Sequence, residues 1–171
     1  MKLESHVIKT LLAVMVASFP CMALGQHAPP KNWRSPEGYQ QAKWGMTMAE
    51  VKKVIPDTRR SDATTLALES PVAGFGGAMT FLSFQDDRLW RVFITIDCKP
   101  TSCASMLNTL THGLERKYGK AQRQSEDGLT HLWSMAETEI LLQAKLRKEQ
   151  PWIGIWYESL RLRTSVESSG L

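Results

Sequence analysis

Residues 89–97, Leu-Trp-Arg-Val-Phe-Ile-Thr-Ile-Asp, constrain this chain more than any other stretch. They alternate with a period of two and are rich in β-branched and aromatic residues, which is the pattern of a strand. Trp90, Val92, Ile94 and Ile96 fall on one face; Leu89, Arg91, Phe93 and Thr95 fall on the other. Residues 78–85 make a second strand, joined to the first at Asp86-Asp87, where Asp suits a turn. Further strands are expected at 64–69, 129–135, 138–146 and 152–158, the last alternating Ile153, Ile155 and Tyr157 against Trp152, Trp156 and Glu158.

Two helices are expected, one before each set of three strands. Thr47 with Glu50 three residues later forms a capping box, flanked by Met46 and Val51 as a hydrophobic staple. Val51, Val54 and Ile55 form a stripe, and Pro56 ends the helix. The second helix is capped by Thr101 or Ser102. It carries Met106, Leu107, Leu110, Leu114 and Tyr118 along one side and terminates at Gly119. The order helix-βββ-helix-βββ predicts an α+β fold: an antiparallel sheet of about six strands with two helices on one face, the other left for solvent or a partner. The halves share a pattern more than letters, so an internal duplication stays open.

The N-terminal stretch sets the expected compartment. Lys2 and Lys9 precede an apolar run at 10–22, about 13 residues where a bilayer span needs roughly 20. Such a run suits the apolar core of a secretory signal, and Ala23-Leu24-Gly25 places small residues before a cleavage point between Gly25 and Gln26. Pro20 before Cys21 is a poor context for lipidation. The predicted organisation is a signal peptide at 1–25, a linker or loosely docked arm at 26–42 that includes Trp33, one domain at 43–160 and a flexible tail at 161–171. The expected location is periplasmic or secreted, with no transmembrane segment in the mature chain. A formal net charge of +4, with basic residues interleaved among acids, points to a solvated surface and to no nucleic-acid partner.

Cys98-Lys99-Pro100-Thr101-Ser102-Cys103 carries the two cysteines that remain after cleavage. In an oxidising compartment an even pair favours a disulfide. The spacing is not the C-x-x-C of thioredoxin-type motifs, and a zinc site would need four ligands. Pro100 and the helix cap can turn the segment so that Cys98 and Cys103 meet.

A resemblance follows from two motifs. Trp44-Gly45-Met46-Thr47-Met48-Ala49-Glu50-Val51 resembles the W-G-M-[ST]-x-x-E-V helix start of many small exported bacterial proteins of unknown function. Leu114-Glu115-Arg116-Lys117-Tyr118-Gly119 resembles the L-x-x-K-Y-G that closes their second helix. The layout over residues 42–158 is similar to the β-lactamase inhibitor protein and to the small lipoprotein of the β-barrel assembly machinery. The resemblance implies a fold and protein binding, and transfers no catalytic residue.

Catalytic patterns are sparse. Gly74-Phe75-Gly76-Gly77 lacks the Lys-Ser/Thr of a phosphate loop and opens no helix. His27, His112 and His131 are far apart and read as surface or interface residues. Asp86-Asp87 sits at a turn, and Glu137 with Glu139 reads as a solvated pair. No cofactor or metal is implied. Of six tryptophans, Trp90, Trp152 and Trp156 are the candidates for a partner surface on the open sheet face. The leading expectation is a non-enzymatic binding or envelope-assembly module whose partner is an envelope or exported protein. The alternative is a small hydrolase or ligand-binding protein with a pocket near the loop 71–77.

Overall fold

A computed structural model describes residues 35–147 and 149–163. The expected signal peptide and its Gly25/Gln26 cleavage point, His27, Trp33 and the tail beyond residue 163 lie outside the described residues. The elements run Gly38–Tyr39 (β1), Ala42–Lys43 (β2), Met48–Val54 (α1), Arg59–Arg60 (β3), Thr65–Glu69 (β4), Met79–Gln85 (β5), Arg88–Asp97 (β6), Cys103–Tyr118 (α2), Arg123–Gln124 (β7), Thr130–Ser134 (β8), Thr138–Lys145 (β9) and Trp152–Ser159 (β10). A short helical turn follows at 160–163.

The expected α+β fold with about six strands and two helices is corrected by this arrangement. The described chain is mostly β: one antiparallel sheet of eight strands in the order β3-β4-β5-β6-β10-β9-β8-β7, plus the two-stranded β1-β2 hairpin, with three short helices. Sequence reading misses β1 and β2, which fall at the expected linker, and in the main sheet β3 and β7; each is two residues long, too short for alternation to register. β3 and β7 are the outermost strands of that sheet and close its two edges. Both are exposed, and together they carry Arg59, Arg60 and Arg123. Short, charged edge strands discourage further strand pairing.

One face of the sheet is core. Leu66, Leu82, Val92, Ile94, Ile96, Ile140, Leu142, Ile153 and Ile155 are buried there, with Leu107, Leu110, Leu114 and Tyr118 of α2 in the same cluster. α1 keeps its capping box: Thr47 N–H donates to Glu50 Oε2 at 2.8 Å, and Glu50 N–H donates to Thr47 Oγ1 at 3.2 Å. Val51 and Ile55 are buried, but Val54 turns outward, 37% exposed. α2 begins after Ser102, whose side chain makes no capping bond, and ends at Gly119 with φ 81°. The stretch from Ser35 docks on the sheet: Glu137 N–H donates to Ser35 Oγ at 3.1 Å, Thr138 Oγ1 donates to the Pro36 carbonyl, and Trp44 Nε1 donates to Thr138 Oγ1 at 2.8 Å.

A bulge corrects the face assignment of β6. Ser83 pairs Arg91 and Phe84 pairs Leu89, which leaves Trp90 as the extra residue. The inserted residue flips the phase of everything before it. Leu89 is therefore fully buried with Val92, Ile94 and Ile96, while Trp90 is half-buried with the Arg91 guanidinium 4.0 Å above its ring.

Candidate functional site

Opposed residues of an antiparallel pair project from the same face. Followed strand by strand, the pairing draws a row across the open face: Arg59, Ala67, Phe81, Phe93, Trp156, Leu141, Leu132, Arg123. Six apolar residues stand in line with an arginine at each end. At the centre, Phe93 stacks on Trp156 at 4.7 Å and on Phe81 at 6.1 Å, and meets Trp152 edge-on at 6.4 Å. Aromatic pairs at such offsets attract beyond the area they bury.

Gly154 explains how the tryptophans lie. A Cβ built there would stand 2.5 Å from Trp152 Cζ3 and 2.5 Å from Trp156 Cη2. The two rings fold down over the glycine, 5.9 Å apart and at 64° to each other. Lys145 Nζ lies 5.3 Å from the Trp152 ring. Sequence reading passed over Gly154 although a glycine inside an alternating strand signals close approach.

Next to the apolar row runs a charged one: Ser83, Arg91, Glu158, Glu139, Ser134. Arg91 Nε stands 2.8 Å from Glu158 Oε1, an ion pair rather than an aligned hydrogen bond. Arg163, on the helical turn after β10, donates to Glu139 Oε1 at 2.7 Å and reaches Glu158 Oε2 at 3.4 Å. The Glu139 bond, aided by Glu158, holds the Arg163 guanidinium even more firmly protonated than usual. Arg91, Glu139, Leu141, Trp156 and Glu158 line a shallow cleft of about 200 Å³. Glu139 is thus half-buried and paired, not freely solvated.

Of the tryptophans proposed from sequence, Trp152 and Trp156 touch, whereas Trp90 lies against the Arg91 guanidinium, which lines the shallow cleft together with Glu158 and Trp156. Cys98 and Cys103 stand elsewhere, at the junction of β6 and α2, at disulfide distance with Cα atoms 5.2 Å apart.

Other expected features resolve into structural roles. The loop 71–77 is an exposed tight turn: Val72 and Phe75 exchange backbone bonds at 3.0 and 2.9 Å across Ala73 and Gly74, both at positive φ. Asp86 and Asp87 form the β5–β6 turn at φ 49° and 54°, and Asp87 Oδ1 accepts the Met48 N–H at 3.1 Å. His131 is buried, not superficial; its Nε2 lies 3.1 Å from the Gly128 carbonyl and its ring stacks on Trp133. His112 is exposed, 3.5 Å from Glu115. A larger cleft, about 650 Å³, lies away from the loop 71–77, between the β1-β2 hairpin, Lys117, Tyr118 and Tyr157. Burial, then the neighbouring Tyr118 and Tyr39, pushes the Tyr157 hydroxyl well above the usual range, so it stays protonated.

Among the described residues no group of three or more His, Cys, Asp or Glu is placed to hold a metal ion, and no helix is long and apolar enough to cross a membrane. No protein-family model, curated protein or solved structure matches the chain.

Proposed function

We propose that this is an exported, non-enzymatic binding or envelope-assembly protein that docks a protein partner on the open face of its sheet. The observation that carries the reading is the apolar row through Phe81, Phe93, Trp156 and Leu141, which no helix among the described residues covers. Half-buried tryptophans in a preformed, rigid patch are the groups that dominate binding energies at protein interfaces. The patch is rigid because its rings lock one another over Gly154. The likeness of the 44–51 and 114–119 motifs to small exported proteins supports the same reading, and a cysteine pair at disulfide distance suits an oxidising compartment.

The test is photo-crosslinking in envelope extract, with a photoreactive residue at position 83 beside the row. The expected result is one dominant crosslinked protein that disappears in Trp156→Ala, while the melting curve of that variant still shows a cooperative fold. Unchanged crosslinking in Trp156→Ala would remove the face from consideration.

A further inference from the structure

We infer that the partner surface is acidic: an apolar segment flanked by carboxylates that reach Arg59 and Arg123 at the two ends of the row. This rests on the open face being the docking face. The charges of the inner row are already spent on one another, with Arg91 and Arg163 set against Glu158 and Glu139. Arg59 and Arg123 differ. Both are exposed, both project from the open face through their pairing with Ala67 and Leu132, and among the described residues neither has an ion-pair or side-chain hydrogen-bond partner. Seven strand spacings of about 4.8 Å separate them, roughly 30–35 Å. An extended segment of about ten residues spans that distance.

Among the described strand residues, the acids on this face that the inner network does not use are Glu69 and Asp97, displaced from the apolar row along the strands. Glu69 lies at the outer end of the next row, opposite Met79, and Asp97 lies beyond it, across Trp152 from Lys145. Neither stands at an end of the apolar row. A second copy of the chain makes a poor occupant, because it brings arginines of its own to both ends of its row. A lipid surface fits poorly too. The large apolar groups of this face all lie low, the exposed ones described being Val54 and Leu146, and Glu139 with Glu158 sits beside the row.

The experiment uses two synthetic 12-residue peptides with the same alternating Leu/Trp centre, one ended by Glu pairs and one by Lys pairs. Each is titrated at low salt against the purified protein and against the Arg59→Glu/Arg123→Glu variant, whose changed side chains are exposed. Binding of the Glu-ended peptide in preference to the Lys-ended one is expected, weakened roughly tenfold in the variant and by added salt, with the preference shifting to the Lys-ended peptide in the variant. Three outcomes overturn the inference: equal binding of both peptides, no binding of either, or binding instead to phosphatidylglycerol vesicles that the variant abolishes. The Trp156→Ala protein separates the two levels. If it loses both peptides while the wild type holds them equally, the face binds and the charge rule is wrong. If it keeps both peptides unchanged, the docking face itself is wrong.

Discussion

The two halves of the sheet are built to one plan with different parts. A helix precedes a four-strand meander in each, and strand lengths rise from two residues at the edge through five to at least seven toward the centre, where β6 meets β10. Even the edge turns agree. Asp62 Oδ1 accepts the Thr64 N–H at 2.8 Å before β4, and Asp127 Oδ1 accepts the Leu129 N–H at 3.0 Å before β8. The contents differ. β6 aims its aromatics with a bulge at Trp90, while β10 stays regular and makes room with Gly154. α1 has 7 residues and a bonded cap; α2 has 16 and none. A long helix holds itself through its buried stripe, whereas a short one depends on its ends.

The largest expected effect contrasts the outer strands. Trp133 of β8 is fully buried and donates from Nε1 to the Gly119 carbonyl at 2.8 Å, whereas the matching position on β4 holds Leu68. Trp133→Ala should cost about 3–5 kcal/mol, and Leu68→Ala about 2 kcal/mol, near the low end for a core leucine beside a two-residue edge strand. Urea denaturation gives both. Equal costs would show that the first half is packed as deeply as the second, contrary to the difference in their helices.

The central strands give the next contrast. Gly154→Ala must displace two indole rings and should cost about 1–3 kcal/mol, with a shift in tryptophan emission. Thr95→Ala, directly opposite Gly154, should cost about 0.5 kcal/mol. If Gly154→Ala is as mild, the rings move freely and the open face is not preorganised.

The helix starts come third. Thr47→Ala should cost about 1 kcal/mol through loss of a bonded cap. Ser102→Ala should stay within about 0.5 kcal/mol, because the Ser102 side chain makes no capping bond. A larger loss at Ser102 would mean that its hydroxyl, 3.3 Å from the Lys99 carbonyl, shapes the turn that brings Cys98 to Cys103.

These contrasts mark what was legible beforehand. The six longer strands, the Thr47–Glu50 box and the Gly119 stop are local patterns, and each is visible within a few residues. The edges were not, because two residues cannot show a period. The phase of β6 before Val92 is not legible because Leu89 and Trp90 are both apolar, so either can be the core residue and one inserted residue leaves no trace in the pattern. The Arg91–Glu158–Glu139 row joins residues far apart in the chain, and it appears only once β6, β10 and β9 are known to be neighbours. His131 read as a surface residue because its type is polar; its burial comes from the place it holds on β8, beside Trp133.

The smallest expected effect asks whether the two edge turns are equivalent. Both aspartates titrate below the ordinary carboxylate range, Asp62 chiefly through the Thr64 backbone N–H and Asp127 chiefly through the Ser125 hydroxyl and then the Leu129 N–H. A carboxyl whose folded value is depressed adds stability above its unfolded value, about 3.9, and that stability is lost as pH falls through the lower folded value. Each turn should therefore contribute to a decline in stability below about pH 4. Asparagine keeps an acceptor oxygen for the turn but does not titrate. Asp62→Asn and Asp127→Asn should each narrow the gap between urea midpoints measured at pH 7 and pH 3. The double variant should narrow it by the sum, since β3 and β7 lie at opposite edges. Because hydrogen bonds rather than ion pairs depress these groups, 0.5 M salt should leave the narrowing in place. A narrowing that vanishes in salt would assign it to long-range charge. A narrowing seen at Asp127 alone would show that the first half closes its edge by Arg60, which donates to the Asp62 and Ala63 carbonyls at 3.0 and 3.1 Å, and not by the aspartate.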